Sequence, residues 1–215
     1  MQPIPASIAA RRLILASSSP YRRALLERLR VTFDVDVPAI DETPLPHEAP
    51  AGTALRLAEA KARAVAARSG DALVIGSDQV ATLAGRQIGK PGDHARALEQ
   101  LRAMRGRDVE FHTALCLYDP RDDTARCTNV VTRVRFRNLP DTELDAYLQL
   151  ERPYDVAGSA KSEGLGIALL EAVNSDDPTA LIGLPLIALT DMLRQAGVTL
   201  FGTADAASEA PEPAQ

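Results

Sequence analysis

Only two cysteines and three histidines occur in 215 residues, and these shortages exclude several architectures. Two cysteines in a chain this long make no disulfide framework. With His47, His94 and His112 scattered, Cys116 and Cys127 have no second Cys/His group to complete a zinc site. Both are expected as free thiols, in neighbouring strands about the turn Asp119-Pro120-Arg121-Asp122, where they face one another across a hairpin. No apolar run approaches the length of a membrane span, so a soluble, cytoplasmic protein is expected. Basic residues are not in surplus either: 24 Lys+Arg against 29 Asp+Glu give a formal charge of −5. That balance argues against binding a nucleic-acid polymer through its backbone, while individual nucleotides remain possible partners.

What is present is apolar residue in quantity. At 46% of the chain it suffices for one large domain, or one domain in two lobes. Residues 1–10 read as a loose leader. Residues 203–215, rich in Ala, Pro and Glu with no base to balance Asp205, Glu209 and Glu212, read as a disordered acidic tail. The fold is assigned to 11–202 as a single domain.

Within it, strand and helix patterns alternate. Leu13 to Ala16 is a short buried strand, 20–30 a helix, and Val31, Phe33, Val35 and Val37 line one face of a second strand. A helix over 53–68 ends at Gly70, and the buried strand Leu73-Val74-Ile75 runs into Gly76-Ser77-Asp78-Gln79. Asp93 caps a helix to Met104. Alternation in 109–117 and 130–136 predicts a long hairpin. A helix over 141–150, a strand over 167–173, a helix over 185–195 and a last strand over 198–201 complete an α/β fold with a mixed sheet flanked by helices.

Ser17-Ser18-Ser19-Pro20-Tyr21-Arg22-Arg23 directly follows the first strand. Ser19 can cap the helix and Pro20 suits its first position, so free N–H groups and the positive helix end would face anything lying over the serines. An ordinary strand-turn-helix with solvated arginines has the same residues. Asp78 lies where a buried strand is expected to end, a usual place for catalytic groups in open α/β sheets, and its carboxylate can take a proton from water or hold a divalent cation. Aspartates also simply satisfy loop amides. Glu42 occupies a second loop, and Lys61, Lys90 and Arg22 bring cations from three other segments. Gly89-Lys90-Pro91 is no P-loop, since Pro91 replaces the Ser/Thr and forbids the helix that must follow; Lys90 can still meet a phosphate as a point charge. Gly158 to Gly166 forms a glycine-bearing loop without the order of a dinucleotide site.

Taken together, Leu15 to Arg23, Asp41-Glu42, Lys61-Ala62, Gly76-Ser77-Asp78-Gln79-Val80, Gly89-Lys90-Pro91 and Glu163-Gly164-Leu165-Gly166 resemble, in order and spacing, the Maf family of nucleoside triphosphate pyrophosphatases over residues 12–202. Tyr21, Gln79 and Glu163 look like the branch acting on 7-methyl-GTP; the sister branch for dTTP and UTP usually has arginine, threonine and glutamine there. Ala114 departs from the glycine of many relatives. The resemblance implies an elongated fold with a central cleft between two lobes, a divalent cation (magnesium or manganese), a homodimer, and cleavage of a nucleoside triphosphate to monophosphate and pyrophosphate. It makes Asp78 the proton acceptor, Ser19, Arg22 and Lys90 phosphate-binding or catalytic, and Glu42 and Lys61 cleft residues.

The residue chemistry suits that reaction. In-line attack on the α-phosphorus needs a base to orient water and cations to absorb charge on the phosphoryl oxygens. Asp78 and Glu42 suit water and metal; Arg22, Lys61 and Lys90 suit the triphosphate. Ser17 and Ser19 bind oxygens rather than attack, because no histidine lies near them in sequence. Glu163 can accept two hydrogen bonds from guanine's Watson–Crick edge and favours the cationic methylated ring, Tyr21 can stack on that ring, and Gln79 completes the polar edge. The expected activity is 7-methyl-GTP hydrolysis in removal of modified nucleotides. The alternatives are a pyrophosphatase for dTTP, UTP or a broader set, and a non-catalytic nucleotide-binding regulator of septum formation.

Overall fold

The computed structural model describes residues 11–201, so the expected leader and acidic tail lie outside the described residues. Among these residues seven strands form one mixed sheet: β1 (Leu13–Ala16), β2 (Asp34–Val35), β3 (Leu73–Leu83), β4 (Arg86–Ile88), β5 (Asp108–Asp119), β6 (Thr124–Phe136) and β7 (Leu170–Asn174). Flanking it, the described residues form the helices α1 (Pro20–Glu27), α2 (Pro50–Ala66), α3 (His94–Met104), α4 (Asp141–Glu151) and α5 (Leu186–Gln195). Strand order is β2-β1-β3-β5-β6-β7, with β4 also on β3. Strands β1 and β2 run parallel, as do β1 and β3, while β4, β5, β6 and β7 add antiparallel. Among the described residues no helix is long and apolar enough to cross a membrane.

The long strand β3 organises the molecule. One edge pairs with β5 from Val74 to Thr82. The other pairs with β1 only over Leu73–Gly76 and with β4 only over Ala81–Leu83. Among the described residues, 77–80 therefore have a sheet neighbour on one edge only, and the opening on the other edge separates two lobes. In one lobe β1, α1, α2 and α5 bury Leu15, Leu25, Leu26, Val65, Leu189 and Leu193 against the sheet. In the other, α3 and α4 enclose Leu101, Met104, Phe111, Leu144 and Leu148.

Three expectations change. Valine alternation over 31–37 yields only the two-residue β2, because Val35 and Val37 are exposed and offer no buried face to fix a longer pairing. The strand expected over 167–173 begins at Leu170, after 3₁₀ turns over Leu165–Leu169. No strand forms over 198–201: Gly197, at φ 79°, closes α5 with N–H bonds from Gly197 to the Arg194 carbonyl and from Val198 to the Leu193 carbonyl. Val198 then packs in the same core cluster as Leu193, so its apolar character serves a helix end.

Candidate active site

The gap in the sheet opens into a cleft of about 460 Å³, lined by the turn after β1, the α2 face, the middle of β3, the Gly89-Lys90 turn and the segment 155–157. Asp78 is not at a strand end as expected, but in the middle of β3, because β5 continues the pairing past the last residue of β1. The side chain stays reachable because the far edge is open there.

Lys61 joins the two acidic groups. Its Nζ lies 2.7 Å from Asp78 Oδ1 and 2.9 Å from Glu42 Oε1. Lys61 and Asp78 are nearly buried, with side chains 7% and 11% exposed, while Glu42 is 57% exposed, so the triad runs from the floor of the cleft to its rim. A buried ammonium without such partners would be strongly unfavourable. Helix α2 brings Lys61 within reach by lying unusually close to β3. Its inner face is small (Ala54, Ala58, Ala62), and at Gly76 a Cβ atom would sit 2.1 Å from the Ala58 carbonyl oxygen.

The opposite wall is the start of α1. Ser19 caps it, its Oγ accepting from Arg22 N–H at 3.4 Å, and Pro20 occupies the first turn. Ser17 Oγ accepts the Ser19 N–H at 3.1 Å and a longer bond from Arg22 Nη1 at 3.4 Å. Arg22 Nε donates to the Gly183 carbonyl at 2.9 Å, which aims the guanidinium along the cleft. Burial lowers the Arg22 pKa, against the opposing pull of Asp78 and Glu42. Arg23 turns away and pairs with Glu27 at 3.0 Å on the exposed face of α1, so of the two adjacent arginines only Arg22 lines the cleft. Lys90 is exposed at the rim and makes no ion pair among the described residues.

Gln79 is held with a definite polarity. Its Nε2 donates towards Thr113 Oγ1 at 2.9 Å and the carbonyls of Leu181 and Ala180 at 3.0 and 3.1 Å. Two of these three partners can only accept, so the amide nitrogen must face them. What Gln79 can offer a ligand is thus its carbonyl oxygen. Tyr21 also lines the cleft, whereas Glu163 is exposed and lies outside the lining. The structure thus brings together Ser17, Ser19, Tyr21, Arg22, Glu42, Lys61, Asp78, Gln79 and Lys90, and leaves Glu163 apart. Sequence reasoning missed Gln87, Asp155 and Gly183 in the lining. Asp155 borders the glycine loop that drew attention, and Gly183 (φ 121°) lies in an Ile-Gly-Leu-Pro run without charge to mark it.

Among the described residues no group of three or more His, Cys, Asp or Glu converges as a metal site. Two carboxylates about one ammonium still fit a hard divalent cation, which commonly takes one or two protein carboxylates and completes its shell with water and substrate phosphate oxygens.

The family model for Maf-like proteins matches residues 12–196, a span that contains every cleft residue named above. This chain belongs to the Maf family. It is 72% identical over 206 residues to the 7-methyl-GTP pyrophosphatase of Burkholderia pseudomallei (strain 1710b), covering 94% of this chain and 93% of that one. It is likewise 72% identical over 194 residues to the enzyme of that name from Paraburkholderia xenovorans (89% and 95% of the two chains), and 68% identical over 190 residues to that from Cupriavidus pinatubonensis (88% and 96%). Among solved structures it is similar to the Staphylococcus aureus Ham1 protein at 16% identity and a TM-score of 0.43, over 60% of this chain and 73% of that one, a likeness too distant to add to the argument.

Proposed function

We propose that this Maf protein hydrolyses 7-methyl-GTP to 7-methyl-GMP and diphosphate. The observation that carries the chemistry is the Asp78–Lys61–Glu42 arrangement, at 2.7 and 2.9 Å, facing the Ser17–Arg22 turn across one cleft. The family membership and the names of relatives 68–72% identical to this chain support the substrate.

In this reading the triphosphate lies between the two walls. Free N–H groups and the dipole at the start of α1 receive its oxygens together with the Ser17 and Ser19 hydroxyls, and Arg22 and Lys90 add full charges. Asp78 accepts the proton of the attacking water. The 2.7 Å contact with Lys61 fixes the Asp78 carboxylate in direction, so it enters the reaction already oriented. Glu42 and Asp78 would hold a divalent metal, magnesium or manganese, which when bound neutralises charge on the phosphoryl oxygens. At the base end Tyr21 offers a ring face, worth about 0.5–2 kcal/mol to a cation such as the methylated purine. The Gln79 carbonyl offers an acceptor to the N–H groups on guanine's edge. Glu163 reads the same edge only if its loop moves inward from the exposed position. A homodimer and a cytoplasmic setting complete the reading, by family resemblance.

The test is pyrophosphate release from a panel of 7-methyl-GTP, GTP, dTTP and UTP with magnesium. A clear preference for 7-methyl-GTP is expected, and a preference for dTTP or UTP overturns the substrate assignment. Asp78→Asn should lower kcat by at least about 100-fold while nucleotide binding by calorimetry persists. Normal turnover by that variant removes Asp78 from the role of base.

A further inference from the structure

Lys161 lies outside the cleft lining, yet it contacts a residue within it. Its Nζ sits 5.8 Å from the centroid of the Tyr21 ring, within the range of a cation–π contact. The side chain is only 19% exposed, and Glu151 at the end of α4 stands 3.7 Å from its ammonium. The same carboxylate accepts the Leu165 N–H at 3.0 Å, so Glu151 ties down both ends of the segment 161–165. The Lys161 backbone is fixed as well: its N–H donates to Tyr147 Oη at 3.2 Å, and Gly166 packs so tightly that a Cβ there would lie 2.5 Å from the Lys161 backbone N and O. Tyr21 and the carboxylates of Asp155 and Glu151 all hold the Lys161 ammonium in its charged form. The cation is therefore built into the wall rather than left to wander in solvent.

Resting on the proposed substrate, we infer that Lys161 is a positioning residue for nucleobase recognition, held by Glu151 and acting through the Tyr21 ring. An unanchored tyrosine on the first turn of α1 has two free side-chain torsions to lose on stacking. Lys161 removes that freedom beforehand, so less is lost when a base arrives. The arrangement also explains why a lysine is tolerable beside a site for a cationic base. Glu151 at 3.7 Å and Asp155 on the cleft wall offset its charge, and Lys161 itself lies outside the cleft lining.

The experiment compares wild type, Lys161→Met, Lys161→Arg and Glu151→Gln, measuring kcat and KM on whichever triphosphate of the panel the wild type cleaves best, together with Kd by calorimetry. Lys161→Met should raise KM and Kd about twofold to tenfold, from the cost of ordering one side chain on binding, with kcat within about twofold. Lys161→Arg should restore most of the affinity, because a guanidinium also stacks on tyrosine. Glu151→Gln should move KM in the same direction by less. Unchanged KM in Lys161→Met, or a fall in kcat and melting temperature without a rise in KM, overturns the proposal, as does failure of arginine to rescue. A wild type that prefers UTP or dTTP would instead refute the substrate reading, and the KM ratio on that substrate would still judge Lys161.

Discussion

Gly76→Ala tests whether the close approach of α2 to β3 is what makes the site. The added Cβ would meet the Ala58 carbonyl oxygen at 2.1 Å, the Ala62 amide nitrogen at 2.9 Å and the Ala62 Cβ at 3.0 Å. The two nearest of these atoms belong to the α2 backbone, so no side chain can swing aside to relieve the contact. Restoring an ordinary separation of about 3.5 Å requires the helix or the strand to retreat by more than about 1 Å. Lys61 lies on α2 three residues beyond Ala58, and Asp78 lies on β3 two residues beyond Gly76, so the retreat acts directly on their 2.7 Å contact.

Two magnitudes follow. Overpacking of this kind costs about 1–3 kcal/mol, which for a chain of this size lowers the melting temperature by roughly 2–10 °C. Misplacing a catalytic pair by about 1 Å costs on the order of 100-fold in rate. The assay is pyrophosphate release together with thermal unfolding, and the diagnostic comparison is Gly70→Ala. Gly70 (φ 66°) has open space where a Cβ would go, so that variant carries backbone strain but no clash. It should lose some stability and keep kcat. A Gly76→Ala protein with wild-type kcat would refute the reasoning, because the helix would have moved without disturbing Lys61 and Asp78.

Glu48 gives a pH-dependent prediction. Hydrogen bonds led by Arg56, with the Leu45 N–H and the Thr53 hydroxyl, hold its carboxyl down to about 2 from an ordinary value of 4.5. A folded-state pKa below the unfolded one contributes stability that is complete above the unfolded value and fades as pH falls through the folded value. Glu48→Gln should therefore lose less melting temperature than wild type between about pH 5 and about pH 2, and parallel curves would exclude the network as a stabilising element. The cysteines give another. Cys116 is buried and its thiol is pushed up, first by its hydrogen bond with Cys127 and then by burial, while the exposed Cys127 is pulled down by the same bond. An aromatic disulfide reagent should label one thiol quickly in the folded protein and the second only on unfolding, and Cys127→Ser should abolish the fast phase; two equal fast phases would contradict the burial of Cys116.

The division between what could and could not be read from the sequence follows the range of the forces involved. Local signals carried well: Ser19-Pro20 started α1, Asp93 capped α3, and the alternation on either side of Asp119 produced a hairpin in which Cys116 faces Cys127. Val35 and Val37 misled because alternation reports a preference for a pleated surface, not the presence of a partner to cover it. The position of Asp78 could not be read locally, since Leu73 to Leu83 carries no mark of where β1 stops alongside it. That stopping point creates the open edge, and with it the cleft. Gly76 holds the same information in a form that sequence conceals. In the strand pattern it reads as a turn entering a loop, yet it is the last residue paired with β1 and a point where the α2 backbone approaches too closely for any Cβ, near the Lys61–Asp78 contact. The Lys61–Asp78 contact therefore depends on a missing side chain as much as on the charged ones. A search for acids and bases alone would find Asp78 and Lys61 without finding what joins them.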